Sequence, residues 1–116
     1  MSEAHLDDAV LSALQDVMAE EFPLLLETFI GDSEERLRGL REALQHADAH
    51  ALRHTAHSFK GSCGNMGALR LTSLCKQLED LARHGNLSAA VPLVAEVESE
   101  FASVRRLLEA LGPTAS

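Results

Sequence analysis

The sequence predicts an all-α protein: an antiparallel four-helix bundle with a short N-terminal capping helix. Two observations carry that expectation. Apolar residues recur at spacings of three and four throughout, and no segment sustains alternation at period two. A third observation sets the scale, because 116 residues suit one core and can bury roughly 65% of the surface the unfolded chain exposes. One domain spanning 1–116 is expected.

The first helix, over about 7–19, is marked by Leu6, Val10, Leu14 and Val17, with Asp7 and Asp8 where a cap and a favourable dipole partner belong. Pro23 suits the first turn of a second helix, over about 22–46. Its stripe of Leu26, Phe29, Ser33, Leu37, Leu40 and Leu44 is faced by Asp32, Glu34, Glu35, Arg38 and Arg41 on the wet side. Asp48 caps a third helix over about 49–66, with Leu52, Ala56, Phe59, Cys63 and Met66 inward and Gly67 as its stop. The fourth, over about 68–84, carries Leu71, Leu74, Leu78 and Leu81 and ends at His84-Gly85-Asn86 in a left-handed cap. The last, over about 89–111, carries Val94, Val97, Phe101, Val104, Leu108 and Leu111, and Gly112-Pro113 terminates it. Ser88 reads as its cap, and Pro92 falls in its first turn or bends the helix just after it. Short connections make neighbouring helices antiparallel, with the first helix lying over one end.

Composition narrows the function. Ten Lys plus Arg against 18 Asp plus Glu leave a net charge of −8, and Trp and Tyr are absent. Phosphate neutralisation needs a basic face and single strands need stacking platforms, so nucleic acid is excluded as a partner. Met1 to Asp8 lacks a basic start followed by an apolar core, and no run approaches the ~18 apolar residues of a membrane span. Cys63 and Cys75 are too few for a disulfide framework and read as reduced thiols that act as small hydrophobes. A cytoplasmic protein is expected. It has no extra apolar stripe, which points to a monomer.

The chemistry lies on the third helix. With the inward stripe at zero on a helical wheel of about 100° per residue, His57 falls at about 140° and Lys60 at about 80°; Gly61 and Gly64 fall at about 180° and 120°. His57 therefore faces solvent on the flank of the bundle. Each glycine inside a helix costs roughly 0.5–1 kcal/mol relative to alanine. Neither glycine lies at an inner crossing, so the remaining reason is close approach by an external partner to a surface kept bare. Lys60 is a mobile cation one turn away, able to neutralise a group built on the imidazole. An exposed ring, an adjacent ammonium and a cleared strip suit transient phosphorylation of His57 by attack of an unprotonated ring nitrogen.

The segment Ala56-His57-Ser58-Phe59-Lys60-Gly61-Ser62-Cys63-Gly64-Asn65-Met66-Gly67-Ala68 resembles the signature of bacterial histidine-containing phosphotransfer (HPt) domains, roughly A-H-x-L-K-G-S followed by small residues and G-A. Phe29-Ile30-Gly31-Asp32, Leu40 to Leu44 followed by Asp48, and Leu78-Glu79-Asp80-Leu81 extend the resemblance over most of the chain. Length and layout are most similar to the stand-alone HptB type of pseudomonads. Phe59 stands where leucine is commoner.

The resemblance implies a helical bundle that neither binds ATP nor catalyses on its own. His57 would accept a phosphoryl group from the receiver-domain aspartate of a hybrid sensor kinase and pass it to the receiver aspartate of a response regulator. Lys60 and Gly61 would assist electrostatically and sterically, while the receiver supplies an acidic pocket and its Mg2+ ion. Phosphoryl transfer is mostly positioning and charge stabilisation, so one side can be minimal. Gly64, His50, Arg53, His54, Ser58 and Ser62 are candidates for the docking rim, with Arg70 as a further specificity residue.

Two alternatives compete. His50, His54 and His57 share one exposed stripe at spacings of four and three, which raises a surface zinc site on a non-catalytic partner-binding module. Metal sites on bundles recruit carboxylates from facing helices into the interior, which this stripe does not face, so no metal is assigned. The chain is also unlike a dimerising kinase helix, since Ser58 and not an acid follows His57, and no Gly-rich nucleotide loop is present.

Overall fold

The computed structural model describes residues 4–111. It consists of α1 (Asp8–Met18), a 3-10 turn (Ala19–Glu21), α2 (Phe22–Gln45), α3 (Ala49–Asn65), α4 (Leu69–Arg83) and α5 (Leu87–Leu111). α3 packs against both α2 and α4, and α5 against both α4 and α2, which closes an up-and-down bundle.

Single residues make two of the corners. Asp48 N donates to Ala43 O at 2.8 Å and closes α2, while its Oδ1 accepts from Ala51 N at 3.0 Å and opens α3. Asn86 does the same further on. Its N–H donates to Leu81 O at 2.9 Å to end α4, and its Oδ1 accepts from Ala89 N at 3.2 Å to start α5. Ser88, the expected cap, therefore lies inside α5, and Pro92 sits beyond the first turn. Ser88 and Pro92 are both exposed, so water can bond the carbonyl that the proline leaves without a donor. The expected terminator Gly112-Pro113 lies outside the described residues.

α1 covers the end of the bundle where α3 turns into α4. Asp7 Oδ1 caps it, accepting from Ala9 N at 3.0 Å and Val10 N at 3.4 Å. Asp7 N donates to Gly67 O at 2.8 Å, and Arg70 N donates to Ala4 O at 3.2 Å. Gly67 has φ +71°, and a Cβ there would stand 2.9 Å from Val10 Cβ. Glycine is required at that turn by backbone angle and by the close seat of α1 alike.

The core is a continuous apolar cluster in which Leu40, Leu52, Phe59, Leu71, Leu78, Val97, Val104 and Leu108 are fully buried. Burying a side chain such as Phe59 stabilises by about 1.5–3 kcal/mol. The α2 stripe is rotated slightly from the expected one: Phe22 and Ala43 are buried, while Leu37 and Leu44 are only half-buried. On α4 the buried set likewise takes in Cys75, Glu79 and Ala82, leaving Leu81 at the margin. Cys63 and Cys75 are free and buried, and the Cys63 thiol is pushed up by its hydrogen bond with Cys75 and then by burial, which keeps it un-ionised. Among the described residues no helix is long and apolar enough to cross a membrane.

Candidate functional site

α3 presents His57 on its outer flank, with the side chain 65% exposed. The ring is nevertheless held. Its Nδ1 lies 2.8 Å from Glu79 Oε2 on α4, and Lys60 Nζ donates to Glu79 Oε1 at 2.7 Å. One carboxylate thus bridges two residues that α3 places one turn apart on the side facing α4.

Glu79 is only 5% exposed, and a carboxylate taken out of water needs such partners. The hydrogen bond from Lys60 holds its carboxyl below the usual carboxylate range; burial pushes the other way, and the bond with His57 adds to the lowering. Glu79 is therefore ionised at neutral pH and has no proton to donate. The hydrogen it shares with His57 must sit on Nδ1, so in the neutral ring the tautomer is fixed and the lone pair is on Nε2. Lys60 differs from its expected role as a mobile cation: it is 28% exposed and pinned by the buried acid.

Gly61 and Gly64 lie exposed beside the ring, and a Cβ on either would meet nothing within 4 Å. Among the described residues no contact calls for glycine at these positions. Ser58 turns toward α2, where its Oγ accepts from Arg36 Nε at 3.2 Å. Ser62 engages through its carbonyl, which accepts from Met66 N at 3.3 Å. His50, Arg53 and His54 line, with His57 and Glu79, a cleft of about 270 Å3 beside the ring.

The three imidazoles do not converge. Seven residues of helix separate His50 from His57 by about 10 Å along the axis. Among the described residues no group of three His, Cys, Asp or Glu side chains is placed to hold a metal ion. Arg70 also leaves the rim, because its Nε lies 3.5 Å from Glu100 and its Nη2 3.9 Å from Glu96, both on α5.

Glu79 is a site residue that the spacing on α3 does not reveal. A signal existed, since it stands four residues after Cys75 and three before Ala82, on the buried stripe where an acid must find partners. Only the fold shows that those partners are His57 and Lys60.

The Hpt domain model matches residues 24–111. Among solved structures, the histidine-containing phosphotransfer protein B (HptB) of Pseudomonas aeruginosa PAO1 is similar, with a TM-score of 0.92 and 57% identity over 95% of this chain and 96% of that one. The histidine-containing phosphotransfer protein MtHPt2 of Medicago truncatula shares the fold, with a TM-score of 0.74 and 23% identity over 95% of this chain and 85% of that one. Against curated protein sequences no match is found. With the Hpt model matched over most of its length, the chain belongs to the Hpt domain family, the histidine-containing phosphotransfer proteins that carry phosphoryl groups in phosphorelays.

Proposed function

We propose that His57 is the phosphoryl carrier, that Nε2 is the atom phosphorylated, and that Glu79 and Lys60 form the machinery supporting it. The observation that carries this reading is the bond from His57 Nδ1 to a buried, ionised Glu79, beside a strip of helix bare of side chains.

In the forward step the Nε2 lone pair attacks the phosphorus of an aspartyl phosphate on a receiver domain. The N–P bond forms as the P–O bond to the aspartate breaks, and the aspartate leaves as a carboxylate. The ring still holds its Nδ1 proton and so becomes a phosphorylated imidazolium, whose positive charge the Glu79 carboxylate faces at hydrogen-bond distance. Lys60, one turn from His57 on α3, supplies positive charge to the transferred group. Gly61 and Gly64 leave the receiver backbone room to approach, and the cleft of His50, Arg53 and His54 forms the rim on which it docks. The second step is the reverse reaction toward another receiver's aspartate.

We assign the donor to a hybrid sensor kinase, the acceptor to a response regulator, and the magnesium ion to the receiver's acidic pocket. We further propose a cytoplasmic monomer that docks over less than about 1,200 Å2, as a carrier that must release each partner quickly requires.

The test is label transfer from a phosphorylated receiver. Wild type should gain an acid-labile, base-stable phosphate and His57→Ala none. Labelling of His57→Ala at the wild-type rate would overturn the assignment.

A further inference from the structure

The chain has 18 carboxylate side chains for ten Lys and Arg, so a cation without a carboxylate partner stands out. All ten lie among the described residues, and only Arg36, Arg53 and Arg106 make no ion pair there. Two of these three flank His57.

Arg53 is exposed on α3 and lines the cleft beside the ring. Arg36 reaches the same surface from α2. It is half-buried, and its Nε donates to Ser58 Oγ at 3.2 Å, a neutral acceptor that satisfies one donor and carries no opposing charge. The nearby acids do not pair with it: Asp32, one turn earlier on α2, makes no ion pair with it, and Glu79 is engaged by Lys60 on the α4 side. On the α3 wheel Arg53 lies at about 100° and Ser58 at about 240°, either side of His57 at about 140° and Gly61 at about 180°. Arg53 thus borders the bare strip on one side, and Ser58, with Arg36 bonded to it, on the other.

We infer that Arg36 and Arg53 form a two-point clamp for carboxylates on the receiver surface, and that Arg36 is a specificity-determining residue contributed by α2. The inference rests on the relay reading above. A guanidinium presents a planar fork matched to a carboxylate, and unpaired charges at the rim of a brief interface act mainly on encounter rate and partner choice. The excess of acid elsewhere on the chain repels an acidic receiver surface. This border attracts it, so the clamp also selects the face by which the receiver arrives.

The experiment follows transfer from a phosphorylated receiver domain at ionic strengths from about 0.01 to 0.3 M, with phosphoramidate labelling of the same samples as a reference that needs no docking. At low salt, the ratio of receiver-driven to phosphoramidate-driven labelling should fall at least about tenfold in Arg36→Glu and in Arg53→Glu. Arg36→Gln keeps a donor for Ser58 and should flatten the salt dependence. Arg106→Glu, the same change in net charge on α5, should transfer like wild type. The clamp is overturned if Arg36→Gln keeps the wild-type salt dependence, or if Arg106→Glu slows transfer as much as Arg36→Glu. A wild-type chain that phosphoramidate labels but no receiver loads would overturn the relay reading and the clamp with it. Unaffected Arg36 variants beside a working wild type would overturn the clamp alone.

Discussion

Glu79 on α4 and Glu100 on α5 are built alike and employed differently. Each is 5% exposed, each lies within hydrogen-bond distance of a histidine Nδ1, and each has a cation on its other oxygen. The partners of Glu100 come from separate parts of the chain: His5 from the N-terminal segment, at 2.6 Å, and Arg70 from the start of α4, at 3.5 Å. That acid staples the N-terminal segment to α4 and α5. Both partners of Glu79 come from α3, which α4 already packs against over its length, so little further cross-linking is gained. What Glu79 sets instead is the tautomer and orientation of an exposed ring. A buried carboxylate is thus a staple or a positioning device according to where its partners come from. The bare strip of Gly61 and Gly64 stands beside only one of the two histidines.

The sharpest way to break this contrast is to exchange the histidines' fates. His57→Ala should abolish receiver-driven labelling while His5→Ala retains it, and label mapped to His5 would erase the distinction. Next in size, Glu79→Ala should slow transfer by about 10- to 100-fold, the kinetic equivalent of one charge-assisted hydrogen bond worth about 1.5–3 kcal/mol. Glu100→Ala should spend the same ~1.5–3 kcal/mol on stability in urea unfolding and leave transfer intact. Equal effects of both variants on both readouts would show that the two acids are interchangeable staples.

Gly61→Gln tests the strip. The helix should gain about 0.5–1 kcal/mol of propensity, yet transfer should fall at least about tenfold, because the receiver meets a side chain where the surface was bare. Unimpaired transfer would show that the strip is incidental. The smallest effect concerns acid. Because the Glu79 carboxyl is lowered in the folded state, its contribution to stability is fully present above the unfolded carboxylate range near pH 4. It is lost as pH falls through the lower, folded value. Glu79→Gln should therefore lose less stability than wild type over that descent, as followed by thermal melting at successive pH values.

Much of the architecture was legible in the sequence because it is local. Spacings of three and four locate the helices, Asp7 and Asp48 cap the helices they precede, and Gly67 takes the positive φ of the turn under α1. Asn86 is hidden as a start signal because the preceding glycine makes it read as part of a stop, when one residue serves both helices through different atoms. Ala47 also adopts a positive φ of 52° at the end of α2, where no glycine announces it. At the site, the spacing on α3 brought out His57, Lys60, Gly61 and Gly64, since one helix carries them all. The missing members, Glu79 and Arg36, sit on α4 and α2 and reach α3 only through packing. Acids and arginines are ordinarily solvated, so neither residue stands out until the stripe it lies on is known to be buried or bordering the site.

By holding the Nδ1 proton, Glu79 commits His57 to react through Nε2. The direct measurement is two-bond and one-bond nitrogen–phosphorus correlation by NMR on the protein labelled with nitrogen-15 in its histidines and phosphorylated by a receiver. Phosphorus coupled to Nε2, with a proton on Nδ1 that exchanges faster in Glu79→Ala, is the predicted result. Phosphorus on Nδ1, the atom that faces Glu79 in this structure, would contradict it.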